Sequence, residues 1–118
     1  MTIKKFHIYL ADLTPRFGTE PEKTRPVVVM QSNMLNHALL STVVCPITTN
    51  VRKDINFLRV HLQKKGTGLE KRSDILVDQI RSIDNKRFIK HLGKITTTQQ
   101  RELVERLQLV LFDEVIVN

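Results

Sequence analysis

Between Arg25 and Arg52 the chain carries no Lys, Arg, Asp or Glu, although 26% of all its residues are charged. A segment that avoids charge for so long must supply the core. Two β-rich runs lie inside it, Val27–Met30 and Thr42–Thr48 (TVVCPIT). Their β-branched side chains favour a pleated backbone, and a continuous apolar run, unlike an alternating one, is expected where both faces of a strand are covered. Pro26 excludes the helical region for Arg25 and presents it in an extended conformation at the entrance of the second strand. Between the two runs, Ser32–Leu40 is expected to form a short helix capped by Ser32 or Asn33.

The flanking sequence continues the pattern. Phe6–Leu13 alternates, with Phe6, Ile8 and Leu10 on one face, and reads as the first strand; a loop at Thr14–Thr24 with Pro15, Gly18 and Pro21 follows. Phe57–Gln63 alternates most clearly, with Leu58, Val60 and Leu62 opposite Arg59, His61 and Gln63. A turn is expected at Lys64–Gly68, a strand over Asp74–Ile80 and an exit from it at Arg81–Asp84. Asn85–Lys90 reads as a helical turn and Leu92–Ile95 as a short strand. Thr97 with Gln100 makes a capping box opening a last helix whose Leu103, Leu107, Val110 and Leu111 share one face. Leu109, Phe112, Val115, Ile116 and Val117 exceed what that face needs, so they are candidates for either core or contact surface. Several short strands with a terminal helix predict an α+β fold, a compact barrel-like domain spanning 1–118. With 118 residues, 41% of them hydrophobic, such a chain buries roughly 65% of its unfolded surface without staples. No run approaches a membrane span and no signal peptide is evident, so the expected compartment is the cytoplasm. The single Cys45 is expected to be a buried thiol.

The formal net charge is +7. It is concentrated in the middle, with +5 over Arg52–Arg72 and +4 over Arg81–Lys94, while Arg101–Asn118 is −2. Such a distribution suits a polyanionic partner. The four histidines lack metal-ligand spacing, and P-loop, GxGxxG, GxSxG and HExxH motifs are absent, so no metal or cofactor is implied. If the first three strands are antiparallel neighbours, the Thr14–Thr24 loop, Arg25 and Thr48 share one edge of the sheet. An arginine and a hydroxyl there would suit metal-independent RNA cleavage, because guanidinium grips phosphate oxygens bidentately and a hydroxyl donates to the same group; by residue type alone an arginine before a strand is more often solvated or ion-paired and a threonine at a strand end more often satisfies local backbone.

Five segments, in order, resemble the MazF/PemK family of toxin ribonucleases: YLADLTP (Tyr9–Pro15), FGTE (Phe17–Glu20), TRPVVV (Thr24–Val29), CPIT (Cys45–Thr48) and LVDQIRSID (Leu76–Asp84). The resemblance implies an SH3-like β-barrel with short helices and a C-terminal helix, assembled as a homodimer. It further implies a metal-independent endoribonuclease that cuts single-stranded RNA, mRNA included, at short motifs and so inhibits translation. An acidic antitoxin segment would neutralise it, and the toxin–antitoxin complex would bind operator DNA. By motif, the family's catalytic arginine falls on Arg25 and its threonine on Thr48. Glu20 matches the loop acid, and Asp78, Gln79 and Arg81 match the signature near the dimer and RNA surface.

The chain also departs from the family pattern. Phe6-His7 replaces the usual Gly-Asp or Gly-Glu, and the loop reads Glu20-Pro21-Glu22-Lys23 instead of Glu-Gln-Gly-Gly. One branch of the family uses a histidine and an arginine where this chain has Thr19 and Leu76, with Asp78 retained as the acid, which favours the Arg25 and Thr48 version. Neither of these is a general base, and the sequence names none. Two other classes share the barrel: gyrase-poisoning relatives, and inactive members that only bind antitoxin and DNA. Arg52, Lys53, Lys64, Lys65 and Arg81 are the candidate phosphate contacts, with Thr19 and Glu20 in the recognition loop. Tyr9 and five Phe offer few rings for base stacking.

Overall fold

The computed structural model describes residues 1–14, 18–19 and 24–113. The strands are β1 (His7–Asp12), β2 (Thr24–Val29), β3 (Ser41–Thr48), β4 (Arg59–Leu62), β5 (Ser73–Leu76), β6 (Arg81–Asp84) and β7 (Phe88–Lys94). The helices are α1 (Asn33–Asn36) and α2 (Thr97–Phe112), with 3-10 turns at Val77–Gln79 and Asn85–Arg87. All ladders are antiparallel, in the order β4-β5-β3-β2-β1-β7, with β6 also on β3.

The charge-free window is the centre of this sheet. On one face Ile8, Val28, Cys45, Ile47, Ile75, Val60 and Leu62 share a core with Leu103 of α2. Ile8 and Val60 meet there although β1 and β4 stand four ladders apart, so the sheet curls around this core in a barrel-like way. Its edges β4 and β7 are not hydrogen-bonded to each other among the described residues. On the other face Tyr9, Ala11, Val27, Val29, Val44 and Ile83 form a second core. Two-sided burial accounts for the continuous apolar runs of β2 and β3.

Several boundaries differ from the sequence expectation. The run after Asp74 is not one strand: β5 stops at Leu76, a 3-10 turn steps the chain sideways, and Arg81–Asp84 forms β6 rather than an exit. The cause is the length of β3, whose eight residues take β5 at Ile47–Thr48 and β6 at Ser41–Val44. Pro46, which has no N–H to donate, falls in the gap between those ladders. The expected Ser32–Leu40 helix is a single turn with Ser32 as its cap. It closes early because buried Asn36 accepts from Gln31 Nε2 and donates through Nδ2 to the Gln31 backbone carbonyl, at 3.0 Å each, and leads the chain back into β3. β7 begins at Phe88 rather than Leu92, extending along β1.

The capping box uses Thr96 and Gln99, one residue earlier than Thr97 and Gln100. Thr96-Thr97-Thr98-Gln99-Gln100 offers that spacing twice, and the hydrogen bond from Ile95 N–H to the Phe6 carbonyl (3.2 Å) selects the earlier one. Leu103 is fully buried and Leu107 and Val110 pack on the core. Leu111, expected on that face, is exposed, as are Leu109 and Phe112, while Val115, Ile116 and Val117 lie outside the described residues. Phe6, where the family has glycine, sits at φ +66°. Its ring packs on the first core, and its N–H is bonded to the Val29 carbonyl at 2.7 Å, which holds a conformation that costs a non-glycine residue about 1 kcal/mol.

Cys45 is wholly buried, and burial pushes its thiol up to about 12. In the native protein at pH 8 it will resist iodoacetamide and react only after denaturant is added. Alkylation at equal rates in both states would contradict its place in the core.

Candidate active site

Arg25 and Thr48 come together at one end of the sheet. Ala11 faces Arg25 across β1 and β2. Continuing the β2–β3 register, in which Val27 faces Pro46, by two residues puts Arg25 opposite Thr48. Arg25 Nη1 donates to the carbonyl oxygen of Ile47 at 3.0 Å, which fixes the half-buried guanidinium beside the end of β3. Thr48 Oγ1 accepts from Asn50 N–H at 3.1 Å, an arrangement that holds the hydroxyl while leaving its own proton to be donated elsewhere.

The same row continues across two more strands. Thr48 faces Asp74 of β5, and Asp74 faces His61 of β4. Cross-strand partners project to the same side of a sheet, so Arg25, Thr48, Asp74 and His61 form one line. Asp74 is 0% exposed. Its Oδ2 accepts from Arg59 Nη1 at 3.0 Å and from Arg52 N–H at 2.8 Å, and its Oδ1 lies 2.6 Å from His61 Nδ1. By sequence Arg59 and His61 stand on the polar face of an alternating strand, and Asp74 carries no motif. A charged residue opening an apolar strand between flanking basic segments was the available signal.

The remaining candidates surround this row unevenly. Thr19 is exposed, and its carbonyl accepts from Gln79 Nε2 at 3.4 Å, which ties Thr19 to the 3-10 turn that carries Asp78. Glu20 lies outside the described residues. Asp78 is exposed, Gln79 half-buried, and Arg81 opens β6 opposite Val44. Lys53 is exposed in the β3–β4 connection; Arg52, beside it, is gripped by Asp54 through two hydrogen bonds of 3.1 and 2.9 Å, which hold the Asp54 carboxyl below its usual range. Lys64 and Lys65 stand outside the row. Their turn docks on β7, where Lys94 N–H bonds the Gly66 carbonyl and a Cβ on Gly68 would meet the Leu92 carbonyl oxygen at 2.0 Å. Tyr9 is in the second core and offers no ring to a ligand.

A separate titratable pair lies at the start of β1. His7 Nδ1 is 2.9 Å from His91 Nε2, and burial, then His91, Lys4 and Lys94, lower the His7 pKa from 6.5. The unfolded chain therefore takes up this proton first, so the contribution of His7 to stability falls as pH drops through 6.5 and levels off below the folded value. Urea melts between pH 7.5 and 5 will show that loss, and His91→Gln will reduce the slope. An unchanged slope would remove the pair from the account.

Fold and edge together define a small basic α+β protein with an arginine–hydroxyl pair at one end of a curled antiparallel sheet. The chain belongs to the family of PemK-like, MazF-like toxins of type II toxin-antitoxin systems, whose model matches residues 4–111. It is 32% identical over 111 residues to endoribonuclease EndoA of Bacillus subtilis, covering 94% of this chain and 96% of that protein. Among solved structures it is similar to MazF of Deinococcus radiodurans (TM-score 0.80, 24% identity, 94% and 97% of the two chains). The Mycobacterium tuberculosis toxin MazF-mt6 has the same fold (TM-score 0.78, 24% identity, 93% and 99% of the chains).

Proposed function

We propose that this toxin is a metal-independent endoribonuclease that cuts single-stranded RNA at the Arg25–Thr48 edge. The observation that carries the reading is the fixed guanidinium: Arg25 is held on the Ile47 carbonyl, one residue from the Thr48 hydroxyl, in a chain similar to an endoribonuclease over nearly its whole length. In such a cleavage the ribose 2′-oxygen bonds to its neighbouring phosphorus, the P–O5′ bond breaks, and a proton passes from the 2′-OH towards the departing 5′-oxygen. Negative charge accumulates on the non-bridging oxygens. A preorganised arginine and hydroxyl stabilise that charge where it develops. RNA would run along the basic surface around the row, with Lys53 and Arg81 as nearby phosphate contacts.

The same reading supplies the partners. A cognate antitoxin is supported by the solved MazE–MazF complexes of Deinococcus radiodurans, whose chains share this fold. Operator DNA would be bound through that complex, the active form would be a homodimer, and the workplace would be the cytoplasm. No helix among the described residues is long and apolar enough to cross a membrane. The test is to incubate purified protein with a long single-stranded RNA in EDTA and sequence the fragment ends. Discrete cuts are expected. Intact RNA beside folded protein would overturn the reading in favour of a gyrase-type or binding-only toxin.

A further inference from the structure

Asp74 and His61 have no part in the chemistry above, yet they are the most tightly organised polar group near it. Asp74 is completely buried and both its oxygens are engaged. An Nδ1–H aimed at a fixed carboxylate orients an imidazole in the way that buried aspartates hold functional histidines. The His61 side chain remains 36% exposed, and its Nε2 lies 2.8 Å from Asn56 Oδ1, so the ring is held at both nitrogens with part of its surface open.

Its distance from the cleavage edge is informative. His61 stands two strands beyond Thr48 in the same row, about 10 Å at the usual strand spacing. That is too far to serve the phosphate gripped by Arg25 and Thr48 and suits a neighbouring nucleotide. A cleft of about 340 Å³ opens there, lined by Val51, Lys53, Asn56, His61, Gln63 and Arg72 among others. The His61 ring with Val51, the amides of Asn56 and Gln63, and the cations of Lys53 and Arg72 are the kinds of group that take the three parts of a nucleotide: a base face, a base edge and a phosphate. Tyr9 is buried and offers no ring there, whereas the plane of His61 is fixed by Asp74 Oδ1 and Asn56 Oδ1.

We propose that the cleft beside His61 is a nucleotide subsite of the RNA groove, in which His61 stacks on the base next to the cleavage position and Asp74 acts as its positioning residue. The proposal rests on the ribonuclease reading and deepens it by assigning the residue that sets sequence preference at one flanking position. His61→Ala will raise KM about tenfold or more while leaving kcat within a few-fold, as expected for loss of one base–aromatic stack. It will also broaden the mapped cut sites at a single flanking position. His61→Phe, which keeps a ring, will restore most of both, and thermal melts will establish that each variant is folded. Unchanged KM and cut-site profile in His61→Ala, beside a wild type that cuts, would overturn the subsite and leave the ribonuclease reading standing. Should the wild type cut no RNA, anisotropy binding of a 2′-O-methyl oligonucleotide decides the subsite separately. Weaker binding by His61→Ala supports it, and equal binding overturns it.

Discussion

Arg25→Ala will lower the single-turnover rate of RNA cleavage by about 10²- to 10³-fold, the usual cost of removing one preorganised donor from a developing oxyanion. The fold should survive. Losing the hydrogen bond from Arg25 Nη1 to the Ile47 carbonyl at this half-buried site costs about 1 kcal/mol of stability. Arg25→Lys will recover little, because an ammonium is a point charge and cannot span two phosphate oxygens in a planar fork. Thr48→Ala, which removes one neutral donor, will be milder, at about 10- to 100-fold. The measurement is cleavage of a fluorescent oligonucleotide in EDTA alongside a thermal melt of each variant. An Arg25→Ala protein within threefold of wild type would remove the arginine from the chemistry.

Asp74→Ala will be the most damaging substitution for stability in the row, costing about 3–5 kcal/mol. The carboxylate is fully buried and answers three donors: Arg59, His61 and the backbone N–H of Arg52. Truncation leaves the Arg59 guanidinium, itself only 12% exposed, without its countercharge and opens the start of the β3–β4 connection. Asp74→Asn will cost less, since an amide oxygen still accepts from one side of the group. Urea denaturation followed by circular dichroism measures both, and the alanine variant should melt at least about 10 °C lower. A loss below about 1 kcal/mol would mean that the charges around Asp74 are solvated and the pair is not a structural unit.

Much of the sheet was legible because burial leaves a local imprint. The charge-free window, the alternation at Phe57–Gln63 and the β-branched runs each report how one segment meets the core, without reference to its partner. Arg25 and Thr48 fall at a common edge because three short consecutive strands pair most simply as antiparallel neighbours. The capping box slipped by one residue because a repeated Thr-Gln spacing is locally degenerate. Asp74–Ile80 looks like one strand by sequence because Ile75, Leu76, Val77 and Ile80 are apolar whether they pair with one segment of β3 or turn away from it.

Local pattern alone locates the buried segments, sets an arginine and a hydroxyl at one end of the sheet, and carries the motifs of the family. That β3 takes two partners on one side, and that His61 and Asp74, 13 positions apart, face each other beside Thr48, follows from the assembled sheet. The reason is physical. A hydrophobic period fixes a face, whereas a cross-strand pair depends on register, and register is set jointly by loop length, the docked Lys64–Gly68 turn and the cores on both sides of the sheet.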